Sequence, residues 1–184
     1  MPPLPSTPPP AGPIMLPSGR PRPVYAVDAP LAELATAELF VVSALRLWAL
    51  PHRDPGGSHP DWRGGFFAAG IDDEGMTAFD VLLRIAATAA KRPLDVRCLR
   101  CPRLGEDEAW LLQLVSLLQR RRRGEAAAIL GEWLPPAAQR MALMPAEGFA
   151  DALGAVGLGI VLRHPEAAGG TAAAGADRGL ALLQ

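Results

Sequence analysis

Leu94 to Arg123 reads LDVRCLRCPRLGEDEAWLLQLVSLLQRRRR, and a change of periodicity inside it decides the fold class. Leu94, Val96 and Cys98 alternate with Asp95 and Arg97, the two-residue period of a short half-buried strand. Beyond Cys101 and Pro102 the period lengthens. Trp110, Leu111, Leu114, Val115, Leu117 and Leu118 cover well over half a helix circumference, so the sequence predicts a helix from about Gly105 to Arg122 at the centre of a bundle. Glu106, Asp107 and Glu108 in its first turn and Arg120 to Arg122 in its last complement the helix dipole at both ends.

Working outward, the same three- and four-residue spacing recurs on both sides. Pro30 opens a predicted helix to about Ala49, ended by Pro51. Leu31, Leu34, Ala35, Val42, Leu45 and Trp48 form its buried stripe, and Glu33, Glu38 and Arg46 lie off it. Pro60 starts a short helix through Phe66 and Phe67 that Gly70 closes. Met76, Phe79, Leu83, Ala86 and Ala90 mark another, from Asp73 or Thr77, with Thr77 and Asp80 as a capping pair. After the break expected at Gly124 come helices over 125–134, 137–144 and 146–156, the last two separated by Pro145. Leu158 to Leu162 reads as a buried strand able to pair with Leu94 to Cys98. The expected fold is mainly α, a compact bundle of roughly five to seven helices with at most a two- or three-stranded β ribbon.

Residues 1–29, with ten prolines and little charge, suit an extended, disordered arm. The single domain is expected over 30–165, and the Ala/Gly-rich residues 166–184 read as a flexible tail. The formal net charge of -1 excludes a protein coated in basic surface. Two cysteines in all do not build a secreted disulfide framework, and no apolar run is long enough for a membrane span, so a cytoplasmic protein without a membrane partner is expected.

Three groups of residues carry chemistry. Cys98 and Cys101 form a C-x-x-C turn, and with His52 and His59 from the polar loop PHRDPGGSHPDWRGG (Pro51 to Gly65) they make a tetrahedral donor set whose natural metal is zinc. Against that set, Pro102 stands where zinc knuckles commonly place glycine, and six residues separate the histidines, a wider gap than in helical His pairs. Arg120, Arg121, Arg122 and Arg123, joined by Arg100 and Arg103, form a local basic patch that would hold a phosphate backbone. No aromatic side chains are interleaved with the run, and a solvated helix end is the reading these residues favour. The 51–65 loop also pairs His52 or His59 with Asp54 or Asp61, the ingredients of a general base, although a loop that staples two helices through Trp62 needs the same residues. No nucleophile frame such as G-x-S-x-G accompanies it. The resulting expectation is a non-enzymatic cytoplasmic regulatory or adaptor protein with a candidate structural zinc, acting through a protein partner or, by the basic patch, a nucleic acid. The alternative is a small metal-dependent or histidine-based enzyme using the 51–65 loop.

Overall fold

A computed structural model describes residues 23–161. Most of the expected Pro-rich arm and all of the expected tail lie outside these residues. Six helices follow in order: α1 (Thr36–Arg53), α2 (Arg63–Ala68), α3 (Asp73–Ala89), α4 (Glu106–Gln119), α5 (Arg123–Trp133) and α6 (Pro136–Ala155). The protein is thus mainly α, and no helix among the described residues is long and apolar enough to cross a membrane.

α4 occupies the centre that its all-round hydrophobicity predicts. Trp110, Leu111, Leu112, Leu114, Val115, Leu117 and Leu118 are all buried, and the helix packs on α1, α5 and α6. α3 lies along α6 through small residues, since a Cβ placed on Gly75 would come within 2.5 Å of the Ala152 Cβ. One turn along from that contact an aromatic cluster forms. Trp62 meets Phe66 edge-on at 5.1 Å, and Phe79 lies 4.8 Å from Phe149, so the 51–65 loop does staple α2 and α3 to the core through Trp62.

Several helix ends differ from the predicted ones, each for a local reason. Pro30 opens only a 3-10 turn, Leu31–Glu33, and α1 starts after it, where Glu38 reaches back to accept the Ala35 N–H at 2.8 Å. Glu38 also accepts from the Tyr25 hydroxyl at 2.8 Å, and Tyr25 is buried, so the packed domain begins before Pro30. α1 continues through Pro51 to Arg53, because a proline in the last turn forfeits one helical bond close to where bonding ends anyway. Asp72 caps α3 by accepting the Gly75 N–H at 2.8 Å, which starts the helix ahead of Thr77; Asp80, expected to cap, is used elsewhere.

α4 stops at Gln119, short of the predicted end, because Arg121 adopts φ +59 and takes the left-handed position that glycine usually fills. The N–H groups of Arg121 and Arg122 then close on the carbonyls of Leu118 and Leu117, both at 2.9 Å. Gly124 consequently lies inside α5 and interrupts nothing. Pro145 does not divide α6. Ala142, Ala146, Phe149, Ala150 and Leu153 are buried on either side of it; burying Phe149 and Leu153 alone is worth about 1.5–3 kcal/mol each, against about 3 kcal/mol for an interior proline.

Candidate functional site

The expected β ribbon does not form among the described residues, and the reason lies in two acids at the start of α4. Asp107 and Glu108 are buried and capture the backbone that would have made a strand. Asp107 accepts the Asp95 N–H at 2.5 Å, and Glu108 accepts the Arg97 N–H at 2.8 Å. The alternate N–H groups of the segment thus bond to carboxylates rather than to a neighbouring strand. On the far side, Ile160 gives its N–H to Gln119 Oε1 at 2.8 Å, so the described part of the predicted last strand, 158–161, is anchored to α4 and not to 94–98; Leu162 lies outside the described residues. Backbone pairing with the entry to the domain is made instead by 102–104, beyond the C-x-x-C turn. Leu104 N–H reaches the Ala29 carbonyl at 2.9 Å, and Asp28 N–H reaches the Leu104 carbonyl at 3.0 Å, around a single antiparallel bridge between Pro30 and Arg103.

Each acid has its own cation. Arg92 donates twice to Asp107, at 2.7 and 2.8 Å, and Trp133 Nε1 adds a third bond at 2.8 Å. That fork holds the Arg92 guanidinium pKa above its ordinary value, mainly through its hydrogen bonds to Asp107. Glu108 pairs with Arg46, whose Nε and Nη2 donate at 2.8 and 2.7 Å while both side chains are essentially inaccessible to water. Glu108 also accepts the Gly105 N–H at 2.8 Å, tying off the first turn of α4. The remaining donors of Arg46 hold the carbonyls of Cys101 at 2.6 Å and Arg103 at 2.7 Å. The four bonds need more donors than the three of a lysine ammonium, and the guanidinium, with five, can grip the carboxylate twice and two carbonyls at once. Gly105 completes the junction, since a Cβ there would lie 2.7 Å from the Asp95 carbonyl oxygen.

This clamp presents the C-x-x-C turn. Cys101 N–H bonds to the Cys98 carbonyl at 3.0 Å, both thiols are free, Cys98 is exposed and Cys101 is half-buried. Leu99 at the tip is 40 % exposed beside the exposed Arg100. The two histidines do not join the cysteines. His52 stacks on Trp48 at 4.2 Å with Nδ1 directed to the Trp48 carbonyl, and His59 Nε2 meets the Asp54 carbonyl at 2.7 Å. Among the described residues no three or more His, Cys, Asp or Glu side chains are grouped as a metal ion would need. The four-residue zinc set is left without geometric support, because α1 continues one turn past its predicted end and carries His52 onto its own helix. Of the histidine–aspartate pairs in the 51–65 loop, His59 does meet Asp54, its Nε2 3.8 Å from the exposed carboxylate, whereas the Asp61 carboxylate accepts the Arg63 N–H at 3.0 Å and the His52 ring lies against Trp48.

The basic run is largely committed. Arg120 donates to Ser116 and to the Ile160 carbonyl, Arg121 pairs with Asp151, Arg122 with Glu125 and Arg123 with Glu147. Arg103 reaches the Asp28 carbonyl at 3.0 Å. The carboxylate pairs of Arg121, Arg122 and Arg123 are exposed and of small energetic weight, whereas Arg120 and Arg103 meet carbonyls and keep their charge.

The residues that organise the site escape a periodicity reading. Arg46 and Glu38 look off the stripe of α1, yet both are buried. The available signal was Arg46 standing four residues after Val42 and three before Ala49, a cation on an apolar face that calls for a buried carboxylate. No protein-family model, curated protein or solved structure matches the chain.

Proposed function

We propose that this is a non-enzymatic regulatory or adaptor domain that acts on a protein partner through the turn at 98–101. The observation that carries it is the buried Arg46–Glu108 pair, bonded to the carbonyls of Cys101 and Arg103. Such a pair commonly adds less stability than well-packed apolar side chains of equal volume. Its return is position: it holds a non-repetitive surface segment in one conformation. The segment it holds presents an exposed leucine, Leu99, next to Arg100, a small apolar anchor with a cationic neighbour. That arrangement suits a partner with an apolar pocket rimmed by carboxylates. A nucleic-acid partner is less well supported, because Arg121, Arg122 and Arg123 are already paired with carboxylates. A reducing cytoplasm, in which vicinal thiols stay free, fits the exposed Cys98.

The test uses a short photo-crosslinker on Cys98 in a Cys101→Ser background, in cells of the source. A captured protein is then purified and titrated against the full chain. The expected result is a one-to-one complex weakened at least about tenfold by Leu99→Glu, a surface change that leaves the core intact. A complex indifferent to both Leu99→Glu and Arg100→Glu would overturn the assignment.

A further inference from the structure

The segment that leads to the turn also walls a cleft of about 560 Å³. Leu45 and Trp48 of α1, Leu83 and Ala86 of α3, and Leu94 and Val96 of the segment give it an apolar floor. Its charged lining is of one sign: Arg53, Lys91 and Arg92, beside the His52 ring, with no carboxylate lining it among the described residues. Arg92 is neutralised by Asp107. Arg53 and Lys91 differ, since they donate to main-chain carbonyls, Arg53 to Val96 and Arg97 and Lys91 to Gly131, and a carbonyl does not cancel a charge. Asp80, which accepts from Trp48 Nε1 behind the floor, is already paired with Arg84 at 2.7 Å. The C-terminal ends of α1 and α3 both border the cleft and each brings roughly half a negative charge, so two cations leave a surplus of about one positive charge. The volume falls within the roughly 300–1,000 Å³ of small-molecule sites.

We propose that this cleft binds a small amphipathic monoanion, a carboxylate with an apolar chain, its tail on the Leu45–Trp48–Leu83 floor and its head group at Arg53 and Lys91. The site is separate from the turn at 98–101, and its occupant would brace the 91–96 wall from which that turn is reached.

Calorimetric titration of the full chain with octanoate, against octanol as the uncharged analogue, tests it. Octanoate is expected to bind at one equivalent and at least about tenfold more tightly than octanol. Lys91→Ala and Arg53→Ala should each weaken octanoate about tenfold while sparing octanol. Lys91→Ala is the cleaner of the two, because its ammonium reaches Gly131 and not the 96–97 backbone. Ala87→Phe, at an exposed position lining the cleft, should fill the space and abolish binding with the helical circular dichroism unchanged. No octanoate binding to the wild-type chain at millimolar concentration, equal affinity for octanol, or binding that survives Ala87→Phe would each overturn the proposal.

Discussion

Replacing Arg46 by methionine removes one charge from the least accessible ion pair among the described residues while keeping most of the side-chain volume. The carboxylate of Glu108 would keep the N–H groups of Arg97 and Gly105 but lose both bonds to the guanidinium, at 2.8 and 2.7 Å, in a site closed to water. Breaking a buried pair from one side costs about 3–5 kcal/mol. The carbonyls of Cys101 and Arg103 lose donors too, but they lie on a segment that water can reach, so the orphaned carboxylate dominates. Against a domain stability of about 5–15 kcal/mol this is a large fraction, and with a urea m-value of about 2 kcal/mol/M the midpoint should fall by roughly 2 M. Equilibrium urea unfolding reads that shift, and hydrogen exchange should show faster exchange at the Arg97 and Gly105 amides ahead of the α4 interior. Combining Arg46→Met with Glu108→Gln should cost less than the two single changes added together, because the second change removes the unpaired charge. A loss under about 1 kcal/mol, or strict additivity in the double variant, would refute the claim that the pair holds the segment.

Other outcomes follow from single contacts. Gly105→Ala should destabilise by about 1–3 kcal/mol in thermal or urea unfolding, since its Cβ would press on the Asp95 carbonyl, a backbone atom with little room to yield. Arg121→Gly should stabilise by about 0.5 kcal/mol, relief of the left-handed conformation outweighing the exposed pair with Asp151 and the extra freedom of the unfolded glycine chain. For Asp80, burial opposes ionisation, but the hydrogen bonds from Trp48 and Arg84 and the charges of Arg84 and Arg63 outweigh it and hold the folded pKa below the ordinary 3.8. A depressed carboxylate contributes fully above that ordinary value and loses its contribution as pH falls through the lower, folded one; Asp80→Asn should therefore lower the urea midpoint near neutrality and narrow the gap from wild type in strong acid. Zinc should leave the alkylation rate of exposed Cys98 nearly unchanged, and protection of both cysteines by one equivalent of metal would revive the four-residue site.

Periodicity made the helices legible, and the reason is geometric: a helix that buries one face must repeat its apolar residues every three to four positions whatever it packs against. The all-round apolar surface of α4 similarly reads directly as a central helix, and Trp62 as the staple of its loop. Helix ends were less legible, because a proline or a capping side chain shifts the balance by only a few kcal/mol. Packing of Phe149 and Leu153 carries α6 through Pro145, whereas Asp72 rather than Thr77 wins the start of α3.

The amino-acid sequence alone determined that this chain makes a bundle of helices around the 106–119 segment, because burial of an apolar face is a property of each helix by itself. Only the tertiary structure decided what the charges and the short extended runs do. Whether Asp95 and Arg97 give their N–H groups to a strand or to the carboxylates of Asp107 and Glu108 depends on which group arrives within hydrogen-bond reach, and Arg46 meets Glu108 only because α1 packs on α4. Hydrogen bonds and ion pairs are short-ranged and directional, so residues remote in sequence acquire them only once the packed backbone has set their positions.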